Sequence, residues 1–157
     1  GPIRVRELGP DGTRFAADSE TRVVLRPNPQ SQGYTRLLEG PWVIERSGYY
    51  YLFVSGDSCC SPQHYAVLVA RARSPFGPFE YESAGEPKPI IEANERWNAP
   101  GHNGFLEDRE GVLWTYFHAV DRERPRLKHP VPEVTSLRRV MLRSRIGFKD
   151  GWPVLIP

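Results

Sequence analysis

A repeated pattern of alternating segments and tight turns restricts this chain to a small set of folds. Residues 42–46 alternate between two faces, Ser47-Gly48 is a turn, and residues 49–55 are rich in aromatic and β-branched side chains. A similar unit recurs over residues 104–118, around a turn at residues 108–111. No long amphipathic helix is evident. The pattern therefore predicts an all-β fold, with a sandwich, a barrel and propeller blades as the alternatives.

Further strands are predicted on either side of these two units. They cover residues 3–8, 21–25, 65–73, 90–91 and 138–146, with polar loops at residues 26–36 and 122–132. The chain has 16 prolines and 14 glycines, which suits many turns between short strands. A length of 157 residues is sufficient for one domain with a core, so residues 1–157 are expected to form a single domain.

Charge and hydrophobicity argue against two classes of partner. The net charge of +2 is too close to neutrality to predict a polyanionic partner. No apolar run has the length of a membrane span.

Cys59 and Cys60 are adjacent and cannot join distant segments, so they form either a local ring or two reduced thiols in a turn. No prediction of cellular location follows from the N-terminal Gly1-Pro2.

Glu39 is the first candidate for chemistry. It directly precedes Gly40-Pro41 and the first hairpin, so the scaffold rather than a loose loop would hold its backbone. A fixed carboxyl group is what general acid catalysis requires. The alternative is a surface glutamate before a strand, which is the better interpretation of an isolated Glu-Gly-Pro sequence.

A series of short motifs, taken in order, resembles glycoside hydrolase family 43. They are EGPW at 39–42, GYYYLFVS at 48–55, Cys59-Cys60, Ala70-Arg71 with SPFGPF at 74–79, APGHNG at 99–104, FHAVD at 117–121 and DGWP at 150–153. Members of this family are five-bladed β-propeller enzymes that cleave arabinose- and xylose-containing polysaccharides with inversion. Because the motifs extend over nearly the whole chain, the resemblance implies about three blades, the C-terminal half of such a propeller.

The resemblance also implies roles for individual residues. Glu39 corresponds to the general acid, and Arg139 to an active-site arginine that contacts substrate. His102 corresponds to a histidine near the propeller axis, which contacts the sugar or holds, through water, a cation that is often Ca²⁺. On residues alone, His102 could instead be a turn histidine bonded to backbone, and Arg139 could belong to a solvated strand face.

The second carboxyl group of an inverting glycosidase is not found in this sequence. Inversion requires an acid and a base roughly 6.5–9.5 Å apart, with a water between them. Asp11 and Asp18 do not match the family's base, and only Asp57 and Asp121 are considered as replacements. The chain is therefore expected to carry the acid without the base, and to be silent alone. Its open sheet edges would be covered by the N-terminal half of the propeller as a second chain, or by another copy.

Two other functions are weighed against the glycosidase. A non-catalytic carbohydrate-binding module would use exposed aromatic residues to stack on sugar rings, with Trp42, Trp97, Trp114 and Tyr116 as candidates. Nucleic-acid binding would use the basic residues of the C-terminal third, which are Arg122, Arg124, Arg126, Lys128, Arg138, Arg139, Arg143 and Arg145. Acidic residues elsewhere balance that charge and no recognition motif accompanies it, so no nucleic-acid partner is predicted.

Overall fold

The structure is a computed structural model and describes residues 1–60, 64–128 and 136–156. Those residues contain no helix, and therefore none long and apolar enough to cross a membrane. The ten strands are β1 (Ile3–Val5), β2 (Arg22–Leu25), β3 (Leu38–Arg46), β4 (Tyr49–Ser58), β5 (His64–Ala72), β6 (Glu80–Tyr81), β7 (Trp97–Glu107), β8 (Leu113–Asp121), β9 (Arg139–Lys149) and β10 (Trp152–Ile156). The predicted all-β fold is confirmed.

The strands form three antiparallel sheets of the kind that make propeller blades. Strands β3 to β6 pair in sequence order, and we call this sheet the first blade. Strands β7 to β10 pair in the same way and form the second blade. Strand β1 pairs with β2 in a small third sheet. The predicted propeller blades are thus confirmed, with two four-stranded blades and a third sheet of two strands.

The first hairpin forms as its turn residues predict. Ser47 and Gly48 both adopt positive φ, 53° and 74°, and Arg46 pairs directly with Tyr49 across the turn. Two central residues in the left-handed region suit the twist of the flanking strands. This tight turn fixes the register of β3 against β4 and therefore the face on which each side chain of β3 lies.

The first blade lies between the other two sheets and buries both of its faces. On one face, Leu52, Val54 and Leu68 form a core cluster with Val24 and Leu25 of β2. On the other face the cluster contains Tyr51, Phe53 and Val67 of the first blade and Phe117 of the second. Because the first blade is anchored on both sides, its strand β3 is a rigid support for polar side chains.

Strands β3 and β7, the first strands of the two blades, approach each other closely and differ from the prediction. Strand β3 begins at Leu38, before the predicted residue 42, so Glu39 lies within it and pairs with Ser55. Strand β7 begins at Trp97, before the unit predicted from residue 104, so His102 lies within it. The reason is that both strands contain irregularities, one between Glu39 and Trp42 and two between Asn98 and Gly104, which tolerate turn-like residues.

Two smaller predictions also change. The strand predicted at residues 90–91 is a single bridge between Ile91 and Val67. Of the loop predicted at residues 122–132, only residues 122–128 belong to the described part of the chain.

Candidate active site

A groove of about 520 Å³ opens where β3 meets β7. It is lined by Gly40, Pro41, Trp42, His102, Asn103, Gly104, Tyr116, Phe117, His118 and Met141. Glu39 precedes the first of these residues in the chain, and His102 and Trp42 are two of the residues predicted for the site. The two blades therefore contribute jointly to one polar and aromatic groove.

Glu39 is held at this groove by a buried tyrosine. The Tyr65 hydroxyl on β5 donates a hydrogen bond to Glu39 Oε1. Tyr65 is only 1% exposed, and its burial together with the neighbouring Glu39 carboxylate raises the pKa of Tyr65 well above its ordinary value. The phenol therefore stays protonated and acts as a fixed donor. Glu39 itself is half-buried, with its backbone followed by Gly40 at φ 56°.

His102 lies directly beside the residue that follows Glu39. A Cβ atom added at Gly40 would be 3.5 Å from His102 Cγ and Nδ1, so the imidazole packs against the Gly40 backbone. His102 adopts a positive φ of 54°, and its backbone N–H donates to Ser55 Oγ at 2.6 Å. A non-glycine residue in this conformation is uncommon and marks a locally constrained backbone. The structure thus places the His102 imidazole against the residue that follows Glu39.

A second histidine, His118 on β8, joins these groups into one cluster. Its ring centroid lies 6.0 Å from that of Tyr65 and 6.4 Å from that of His102, with the ring planes nearly parallel. Burial lowers the pKa of His118 to about 4, and the positive charges of Arg139 and His102 act in the same direction. His118 is therefore neutral near pH 7.

Arg139 faces this cluster rather than a solvated strand face. Its Nη1 lies 3.4 Å from His118 Nδ1, and its Nη2 donates to the Cys59 carbonyl at 3.0 Å. Cys59 and Cys60 form a disulfide, which resolves the two alternatives left open by the sequence in favour of the local ring. The arginine is thus held between the histidine and the turn that carries this ring.

Trp42 forms one wall of the groove, whereas two other tryptophans are engaged elsewhere. Trp42 packs on Gly104 and remains 43% exposed. The Trp114 ring lies under the Arg143 guanidinium at 4.6 Å, and its Nε1 donates to Asp108. Neither Trp114 nor Trp97 lines the groove, so Trp42 and Tyr116 are the aromatic candidates for sugar contact.

The two carboxylates considered as replacements for a base are both held in ion pairs. Asp57 is 5% exposed and binds Arg36 at 2.5 Å and His64 at 2.6 Å, and these hydrogen bonds hold its pKa below the usual value despite its burial. Asp121 is 3% exposed and binds Arg138 at 2.9 Å and Arg96 at 3.3 Å. A buried carboxylate that is already paired with cationic side chains is poorly placed to activate a water.

The described residues do not form a direct metal site. No group of three or more His, Cys, Asp or Glu side chains within residues 1–60, 64–128 and 136–156 could hold a metal ion. Ca²⁺ prefers six to eight oxygen ligands, whereas the groove presents imidazole rings and, nearby, a guanidinium group. Direct coordination of Ca²⁺ by these residues does not fit, and the role of His102 in holding a hydrated cation stays a prediction.

Sequence reasoning missed three residues of this cluster, Ser55, Tyr65 and His118. All three lie in motifs or strands that were identified, but each was interpreted as part of a strand face. Gly101 carries the signal that could have located Tyr65. A Cβ atom at Gly101 would lie 2.0 Å from Tyr65 Cε1, so the Ala-Pro-Gly-His sequence requires glycine to admit an aromatic ring.

The stability of the fold should depend on pH through His118. Its folded pKa of about 4 lies below the unfolded value of 6.5, so the unfolded chain takes up a proton first as the pH falls. The contribution is fully present above about pH 6.5 and is lost towards about pH 4. We expect it to reach about 1–3 kcal/mol, since the ring is only partly buried. Urea unfolding at about pH 7 and about pH 4.5 should show a smaller loss in His118→Gln than in the unmodified chain. Equal losses would contradict this assignment.

Comparison with known proteins identifies relatives of this sequence and this fold. The family model described as glycosyl hydrolases family 43 matches residues 3–153. The extracellular exo-alpha-(1->5)-L-arabinofuranosidase ArbA of Cellvibrio japonicus is 25% identical over 142 residues, which cover 82% of this chain and 41% of ArbA. The beta-D-galactofuranosidase xynD of Aspergillus niger is 38% identical over 153 residues, covering 96% of this chain and 38% of xynD.

Solved structures give the same fold. An alpha-L-arabinanase of Cellvibrio cellulosa, determined with arabinohexaose, superposes with a TM-score of 0.77 at 22% identity. The match covers 99% of this chain and 50% of the arabinanase chain. The chain thus spans half or less of the length of these relatives.

Proposed function

Because the chain belongs to glycosyl hydrolases family 43, we propose that it supplies the general acid of an inverting glycosidase. The proposed substrates are arabinose- or xylose-containing polysaccharides and oligosaccharides. Glu39 protonates the oxygen of the leaving sugar, while His102, Arg139 and Trp42 bind the substrate. We further propose that residues 1–157 are the C-terminal part of the catalytic propeller, since they span half or less of their relatives.

The observation that carries this proposal is the position of Glu39 at the groove between the blades. The carboxyl lies on the first strand of a blade that is packed on both faces, and a buried phenol holds one of its oxygens. A general acid needs such fixed placement within reach of the glycosidic oxygen. A surface glutamate would have neither the buried donor nor the adjoining groove.

The surroundings of Glu39 support binding of a sugar at the same place. Trp42 offers an exposed aromatic face, and His102 offers a polar group beside Glu39. Arg139 has hydrogen-bond donors beyond those that engage His118 and Cys59. A stacking face together with polar groups is the usual composition of a carbohydrate subsite.

The base is proposed to lie in the remaining blades. Asp57 and Asp121 are committed to arginine partners, and protonation of the leaving group cannot by itself deliver a water nucleophile.

The second blade also has large exposed apolar side chains, with Leu106 at 57% and Met141 at 78% exposure. The remaining blades, as a second chain or as part of a longer one, would cover this face and bring the base to the groove.

A non-catalytic carbohydrate-binding module is the second candidate, because Trp42 and Tyr116 line the groove independently of any chemistry. Hydrolysis distinguishes the two. The purified chain alone should not hydrolyse arabino- or xylo-oligosaccharides. The chain mixed with the remaining half of the propeller should do so, and ¹H NMR should show the inverted anomer as the first product.

The remaining half of the propeller alone is the control for that assay. A galactofuranoside is added to the substrates because a relative that is 38% identical is named as a galactofuranosidase. Full hydrolysis by the isolated chain would show that the base lies within it. Binding without hydrolysis after mixing would favour the binding module.

A further inference from the structure

Two buried hydroxyl groups, those of Ser55 and Tyr65, lie between the His102 backbone and Glu39. The backbone N–H of His102 on β7 donates to Ser55 Oγ on β4 at 2.6 Å. Burial raises the pKa of the Tyr65 hydroxyl on β5, and the Ser55 hydroxyl acts in the opposite direction. The Tyr65 hydroxyl donates to Glu39 Oε1 on β3. Ser55 is fully buried and Tyr65 is 1% exposed, so water does not compete for these partners.

The donors of the two hydrogen bonds follow from the chemistry of the groups. A backbone N–H can only donate, so Ser55 Oγ is the acceptor of the bond from His102. Tyr65 has a single hydroxyl proton, and Glu39 Oε1 receives it.

We infer that Tyr65 is a positioning residue that reserves Glu39 Oε1 as a hydrogen-bond acceptor, so that the proton Glu39 transfers resides on Oε2. This inference rests on the proposed function of Glu39 as the general acid. An oxygen that already accepts a phenol proton is not the site that carries the acid's own proton. The two carboxyl oxygens are therefore distinct before substrate binds, and the acid enters the reaction with its proton already placed.

Tight packing around Tyr65 maintains this arrangement. Its ring leaves no space for a side chain at Gly101, and the His118 ring lies parallel to it at 6.0 Å. Since the ring is packed from both directions, the hydroxyl keeps its position while Glu39 changes its protonation state during turnover. Tyr65 packs on Gly101 of β7, next to His102, and donates to Glu39 on β3. The orientation of the acid therefore depends on the position of the β7 backbone.

Tyr65→Phe in the complete enzyme, this chain together with the remaining blades, tests the inference. The phenol donates to the charged carboxylate, so its removal disfavours the charged form. The alkaline limb of the pH profile of kcat/KM, which reports the general acid, should move upward by about one pH unit. On oligosaccharides, kcat at pH 7 should fall about tenfold, because the proton is no longer confined to Oε2.

Tyr81→Phe is a matched control, because it also removes a buried tyrosine hydroxyl, and Tyr81 has no hydrogen-bond partner among the described residues. It should change neither the pH limb nor kcat. An unmoved limb and unchanged kcat in Tyr65→Phe would overturn the inference. If Tyr65→Phe fails to fold, 3-fluorotyrosine at position 65, a stronger donor of nearly the same shape, should move the limb downward, and an unmoved limb would then overturn the inference. If Glu39→Gln loses activity but Tyr65→Phe has no effect, only this inference is rejected. If Glu39→Gln keeps full activity, the proposed function itself is rejected.

Discussion

Replacement of Glu39 by glutamine should lower kcat on arabino- or xylo-oligosaccharides by about 10²–10⁴-fold in the complete enzyme. Glutamine keeps the shape of the side chain and can still accept from Tyr65, so the groove and its sugar contacts should persist. What is lost is the transferable proton, which acts only in the transition state. KM should therefore change little while kcat falls, the pattern of a group that contributes to chemistry rather than to ground-state binding.

Glu45→Gln is the control for this experiment. Glu45 lies on the same strand β3 but is exposed, and its carboxylate accepts from the Gly48 backbone N–H at the hairpin turn. Glu45→Gln makes the same substitution on the same strand without touching the groove. It should keep nearly full activity, and a comparable loss in both variants would indicate a general effect of the substitution on β3 rather than a role of Glu39 in proton transfer.

Gly101→Ala should destabilise the fold by about 3 kcal/mol, the upper end of the usual cost of overpacking a core. The added methyl group would lie 2.0 Å from Tyr65 Cε1 and 2.3 Å from Cδ1, where no atom can remain. Tyr65 is buried and bonded to Glu39, so the ring cannot move without breaking the site. Urea denaturation of the chain should therefore show a lower midpoint with a similar slope.

Gly85→Ala provides the comparison for that measurement, because nothing lies within 4 Å of a Cβ atom at Gly85. Its free energy of unfolding should stay within about 0.5 kcal/mol of the unmodified chain. A Gly101→Ala chain as stable as Gly85→Ala would contradict the close packing of Tyr65 on β7. In the complete enzyme, Gly101→Ala should also lower activity, since Tyr65 cannot be displaced without disturbing Glu39.

The sequence could predict the strands because their signal is local. Alternation with a period of two, together with the turn residues Ser47-Gly48, is sufficient to predict the first hairpin. The structure has both turn residues at positive φ and pairs the two strands in the register that this turn requires. The order of the family motifs predicted the blades. In the structure His102 and Trp42 line one groove, Glu39 directly precedes its lining residue Gly40, and Arg139 lies beside its lining residue His118. Their roles in catalysis and binding remain predictions.

The sequence could not predict the hydrogen-bonded surroundings of Glu39, because those depend on which strands become neighbours. Ser55 and Tyr65 occupy buried positions that alternation assigns to the core. The Ser55 hydroxyl finds its partner only once β7 lies against the first blade, and the Tyr65 hydroxyl only once β5 and β3 lie on either side of β4. In the same way, the sequence does not show that Asp57 has partners, whereas in the structure it forms ion pairs with Arg36 and His64. Strand irregularities, which placed His102 within β7, also leave little trace in hydrophobic periodicity.

The dependence of the Glu39→Gln defect on the leaving group is the most direct test of Glu39 as the general acid. A sugar leaving group needs a proton, whereas a dinitrophenolate departs without one, so only the first reaction should depend on the acid. The complete enzyme and its Glu39→Gln variant should be compared on an oligosaccharide and on the dinitrophenyl glycoside of the same sugar. We predict a loss of about 10²–10⁴-fold on the oligosaccharide and of less than about tenfold on the aryl glycoside. Equal losses on both substrates would contradict the assignment of Glu39 as the proton donor.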